Sequence, residues 1–151
     1  MFGADGAKLG GPTLLRATDG LNVSGLAAAP LSDGSLITLT TDFSYSTQVT
    51  TLAAQRTTSS GAAIGSSIPV ATQLGNISSE NLDAITGLPN NGFAVAVAGL
   101  GIGLYVQVFD NFNFAPSPVK IPTQSTFVTQ PRLATLANGT FVVAWNQNSG
   151  L

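Results

Sequence analysis

LANGTFVVAW, residues 136–145, is the stretch that decides the fold. A leucine leads into a short polar turn containing Asn138-Gly139, and an alternating apolar run follows. Two earlier stretches have the same shape: LPNNGFAVAV, Leu88 to Val97, and LSDGSLITLT, Leu31 to Thr40. Their Asx-Gly pairs are Asp33-Gly34, Asn91-Gly92 and Asn138-Gly139. Such pairs tolerate positive φ at both positions, which predicts type I′ hairpin turns. Side chains alternate across a strand, so Phe141, Val143 and Trp145 share one face while Val142 and Ala144 share the other. The closing glycines, Gly34, Gly92 and Gly139, lie 58 and 47 residues apart.

A second motif lies between these phrases. LYVQVFDNFNFAPSPVKIP, from Leu104, aligns with LAAQRTTSSGAAIGSSIPV, from Leu52; Leu104 falls on Leu52 and Gln107 on Gln55. FGADGAKLGG, from Phe2, aligns with TTSSGAAIGS, from Thr57, and puts Gly6 on Gly61. One unit then reads as four short strands: one ending in the leucine phrase, an apolar second, a third like LYVQVF and a fourth ending near Pro or Val. β-Branched and aromatic residues bounded by Gly, Asn, Asp and Pro support strands, and helical signals are poor. The expected fold is all-β: about three repeated four-stranded antiparallel units in a single domain over residues 1–151. The units run approximately over 20–75, 76–125, and 126–151 completed by 1–19. A β-sandwich is the alternative.

Composition narrows the function. Charged residues are 8% of the 151 and hydrophobic residues 44%, against ~25% charged in an ordinary domain. The few cations, Lys8, Arg16, Arg56, Lys120 and Arg132, are scattered. Nucleic-acid binding needs clustered cations, so no nucleic-acid partner is expected. There is no Cys and no His, which removes thiol chemistry, the usual general base and the commonest zinc ligand together. The chain is therefore expected not to be an enzyme. Met1 leads into a segment with neither a basic nor an apolar leader region. FAVAVAGLGIGLYV, Phe93 to Val106, is too short and glycine-interrupted for a spanning helix, so no membrane span is expected. It reads as two strands and their turn.

The pairing of LANGTFVVAW with GLYVQVFDNF resembles a repeat of large secreted bacterial surface and RTX-type proteins, best from Leu82 to Leu151 and at Phe2 to Gly11. The match weakens from Leu26 to Val70, where Arg56-Thr57 stands in place of Val108-Phe109. The resemblance implies β-propeller-like blades and a secreted, extracellular or cell-surface location. It implies architecture more than activity. The repeat is also cut in mid-unit. Gly150-Leu151 matches Gly103-Leu104 at the start of a third strand, and Met1-Phe2 matches Val108-Phe109 at its end. Three origins follow: part of a longer array, copies that complete one another by strand addition, or a different β-architecture.

Candidate chemistry is sparse. GLGIG, Gly99 to Gly103, has the glycines of a phosphate loop, but a strand follows where that loop needs a helix. Asp110 and Asn113 sit at a third-to-fourth strand turn, where spaced oxygens can hold calcium; an Asx turn is the structural alternative. Trp145, with Asn146 and Asn148, forms a candidate ligand site in which the ring stacks a sugar and the amides bond hydroxyls. The alternation with Phe141 and Val143 favours a core tryptophan instead. NVS, NIS and NGT, at Asn22, Asn76 and Asn138, match the glycosylation sequon by composition. The functional expectation is a structural or adhesive module whose partners are other copies of itself or adjacent repeats. A carbohydrate-binding, lectin-like module with glycan partners is the alternative.

Overall fold

The computed structural model describes residues 4–7, 22–44, 46–47, 49–70, 83–99, 102–111 and 117–147. Ten strands account for most of them, with no α-helix among the described residues. They are β1 (Asn22–Pro30), β2 (Leu36–Ser44), β3 (Val49–Thr57), β4 (Ala63–Val70), β5 (Asp83–Gly87), β6 (Phe93–Gly99), β7 (Gly103–Phe109), β8 (Val119–Ile121), β9 (Val128–Thr135) and β10 (Phe141–Gln147). Every pairing joins consecutive strands and is antiparallel. The result is three open sheets: β1-β2-β3-β4, β5-β6-β7-β8 and β9-β10. The fold is all-β, as the alternating runs require.

The sheets stack as layers, with the second sheet in the middle. One core joins sheets one and two, with Ile37, Leu39, Leu52, Ala54 and Val70 against Ile85, Phe93, Val95, Val97 and Phe109. A second joins sheets two and three. There Ala84, Ala96, Ala98, Leu104 and Val106 meet Val128, Leu133, Phe141, Val143 and Trp145. Strand β6 therefore has both faces covered, and every side chain from Phe93 to Ala98 is buried. This is why its sequence reads as an uninterrupted apolar run. The two faces divide by size. Phe93, Val95 and Val97 fill the first core, while Ala94, Ala96 and Ala98 make room for the large side chains of β10. Burying a Phe or Val contributes roughly 1.5–3 kcal/mol.

The hairpin turns differ from the sequence expectation. In the first and third, only the glycine has positive φ, Gly34 at 81° and Gly139 at 83°. Leu31 N–H donates to Ser35 O and Gly34 N–H to Leu31 O; Leu136, Thr140 and Gly139 repeat both bonds. That is a three-residue loop closed by one left-handed glycine, not type I′. Asx side chains stabilise it locally: Asp33 Oδ1 accepts from the backbone N–H and hydroxyl of Ser35, and Asn138 Oδ1 accepts from the same groups of Thr140. The middle turn does have two consecutive positive φ angles, but at Asn90 (59°) and Asn91 (60°). Asparagine tolerates that region. Gly92 has an ordinary φ of -71°; it is glycine because a β-carbon would lie 2.8 Å from the carbonyl oxygen of Phe109.

Candidate functional site

The three leucine turns lie side by side at one end of the stack. Ser32 Oγ donates to Asn91 Oδ1 at 2.8 Å, Asp33 N–H donates to the same oxygen at 3.0 Å, and Asn91 N–H returns a bond to Ser32 Oγ. The third turn abuts the second, since a β-carbon on Gly139 would lie 3.0 Å from Pro89 Cγ. Beneath the turns the first strands of the sheets converge. A side chain on Gly87 would collide with the carbonyl oxygen of Pro30 at the end of β1. On the other side Thr135 Oγ1 donates to Gly87 O at 2.5 Å. Thr86 Oγ1 lies 3.0 Å from Thr135 Oγ1; since that proton is committed, Thr86 is the donor of the second bond. Glycine thus lets β5 lie against β1, and two hydroxyls bind it to β9.

Residues that align in sequence hold matching places. Gly6 and Gly61, paired by the alignment, both have positive φ, at 81° and 93°. Gln55 sits at the irregularity where three residues of β4, Gly65 to Ser67, oppose this one residue of β3: its amide nitrogen donates to Arg56 O, Ile64 O and Gly65 O. Gln107 occupies the aligned position on β7. The departures are also accounted for. Arg56, where the second unit has Val108, forms an ion pair with Asp33 and donates to Ser35 Oγ at 2.9 Å. Thr57, where the second unit has Phe109, pairs with Leu36, so the first sheet lacks the Phe93–Phe109 stack, with ring centroids 4.4 Å apart.

Of the residues proposed for ligand binding, the two that are described, Trp145 and Asn146, lie on opposite faces of β10. Trp145 is half-buried and packed into the second core, whereas Asn146 is exposed on the opposite face. Asn146 Nδ2 donates to Gln130 Oε1 at 2.8 Å, across a bulge that places Gln130 at a φ of 51°. Asn148 lies outside the described residues. Asp110 is exposed at the end of β7, and Asn113 lies outside the described residues. By alignment Asp110 takes the position of Thr58, whose hydroxyl accepts from Ala62 N–H across the turn between β3 and β4. Most of residues 1–19, expected to complete the third unit, also lie outside the described residues.

What the alternation of the repeat marks out, and what single-residue motifs missed, is the outer side of the third sheet. In sheet one, Ile37 and Leu39 point at sheet two. In sheet two the aligned Ala94 and Ala96 point at sheet three. In sheet three the aligned residues are Val142 and Ala144, and they point at solvent, Val142 at 49% exposure. The phrase leucines follow the same order: Leu31 is buried, Leu88 half-buried and Leu136 is 45% exposed. Arg132, Gln130 and Asn146 rim this face and are exposed. No protein-family model, curated protein or solved structure matches the chain. Among the described residues no helix is long and apolar enough to cross a membrane.

Proposed function

We propose that the chain is a structural, adhesive module of a secreted bacterial surface protein, built from β-propeller-like blades that associate with adjacent repeats or other copies. The observation that supports it is the serial sheet-to-sheet interface. Two successive interfaces use aligned positions, and the third sheet presents those positions again with nothing described across from them. An apolar sheet face of this kind is normally covered. The proposed location rests on the resemblance of the sequence to secreted surface repeats. The described residues bring together no group of three His, Cys, Asp or Glu side chains, and the polar side chains of the turns are engaged with one another.

Sedimentation velocity on the intact chain and on Val142→Asp tests the reading. The expected result is concentration-dependent association of the parent chain that the aspartate weakens. A monodisperse small monomer for both, across the accessible concentration range, contradicts it.

A further inference from the structure

We propose that the open edge of β10, together with the part of sheet two that projects beyond it, is a seat for one additional extended strand carrying an aromatic residue opposite Phe141. The choice of occupant rests on the scaffold reading above; the seat itself is geometry.

Among the described residues β10 pairs only with β9. Leu136 N–H bonds Thr140 O, so Thr140 and Leu136 form a hydrogen-bonded pair. Bonding alternates along an antiparallel ladder. Val142 and Ala144 therefore exchange bonds with β9, while the N–H and C=O groups of Phe141 and Val143 point away from it. Unpaired strand edges accept further strands.

The seat has a floor. Leu104, Val106 and Val108 of β7 and Val119 of β8 point to the same side of sheet two as sheet three does. Leu104 and Val106 are buried, but Val108 is 36% and Val119 61% exposed. The neighbouring Phe109, on the other face of the same strand, is 2% exposed. That face meets a four-stranded sheet; this one meets two described strands. The exposed valines continue the buried interface outward, past the edge of β10.

The second unit shows what would fit. Strand β7 pairs with β6 so that Phe109 opposes Phe93, Gln107 opposes Val95 and Tyr105 opposes Val97, and the two phenylalanine rings stack with planes 8° apart. In the aligned third unit the matching positions are Phe141, Val143 and Trp145, all half-buried. A strand antiparallel to β10 with an aromatic residue opposite Phe141 would stack on that ring and lie over Val108 and Val119. A second copy of the whole sheet cannot take this place by pairing β10 with β10. The two-fold axis would stand perpendicular to the sheet and drive both copies of sheet two into the same space. The occupant is therefore a single extended segment of third-strand character.

The test uses the full chain and a synthetic peptide with the sequence GLYVQVF, as in Gly103–Phe109, bearing solubilising lysines at its ends. Amide exchange and Trp145 fluorescence are followed during titration. At saturation the amides of Phe141 and Val143 should slow by about tenfold or more, as buried hydrogen-bonded amides do, with those of Val142 and Ala144 little changed. A peptide with its Phe replaced by Ala should bind more weakly. Val119→Asp, an exposed position that leaves the fold intact, should weaken binding of the parent peptide too. Unchanged exchange at Phe141 and Val143, or slow exchange at both in the dilute chain without peptide, overturns the proposal. If the peptide fails while Val142→Asp still abolishes self-association, the seat is wrong and the assembly reading stands.

Discussion

Strands β6 and β10 carry the same phrase and end in different surroundings. Both begin with Phe after a leucine turn, both alternate, and both pair with the strand before them. β6 lies between two sheets and pairs on both edges; β10 has one covered face and one described partner. The local sequence therefore sets the strand and its faces, but not whether a face is buried. Composition follows the surroundings. Where β6 has Ala94 and Ala98, β10 has Val142 and Asn146. The alanines yield space to an incoming sheet, whereas valine and asparagine stand out from an uncovered one.

The largest test of this contrast is in the double-sided layer. Phe93→Ala empties a fully buried ring site and loses the stack on Phe109. Chemical denaturation should show a loss of about 3–5 kcal/mol, while the half-buried Phe141→Ala should cost distinctly less. Equal losses would mean that β10 is as enclosed as β6. Next is Gly87→Ala, which sets a methyl group against the backbone of Pro30. It should cost about 1–3 kcal/mol or more, and Thr135→Val, which removes a donor from the other side of β5, about 1 kcal/mol. A neutral Gly87→Ala would show that sheets one and two are not in contact at that point.

Smaller effects separate the first unit from the second. Arg56→Ala breaks the ion pair with Asp33 and the bond to Ser35. Both carboxylate and guanidinium are partly exposed, so the loss should be within about 1 kcal/mol and shrink in high salt. A salt-independent loss would point to packing of the arginine stem rather than to charge. Smallest of all, Val142→Asp should change the stability of the monomer by no more than about 0.5 kcal/mol. Its effect belongs to association, and a large fall in monomer stability would mean that the outer face is already covered.

The strands were legible because β-branched and aromatic residues alternate between glycine and proline boundaries. The pairing order was legible because the connections are short. The turn types were not. Asn90 and Asn91 can adopt the left-handed region, so Asn91-Gly92 reads the same whether the second central residue is the glycine or the asparagine before it. Nor did the sequence say which sheet faces which; the size division between Phe93, Val95 and Val97 and the three alanines of β6 has meaning only once both neighbours are placed. In the candidate site, Trp145 and Asn146 are adjacent in a strand, and period two sends them to opposite faces. The same alternation, applied to Val142 and Ala144 across the aligned units, marks the outer face without reference to any motif.

One phrase is folded into a two-sided strand at β6 and, among the described residues, a one-sided strand with an open edge at β10. Residue-resolved amide exchange on the dilute chain tests this contrast most directly. Exchange should be uniformly slow from Ala94 to Ala98. In β10 it should alternate, slow at Val142 and Ala144 and fast at Phe141 and Val143. Slow exchange at all four residues of β10, matching β6, would contradict the contrast.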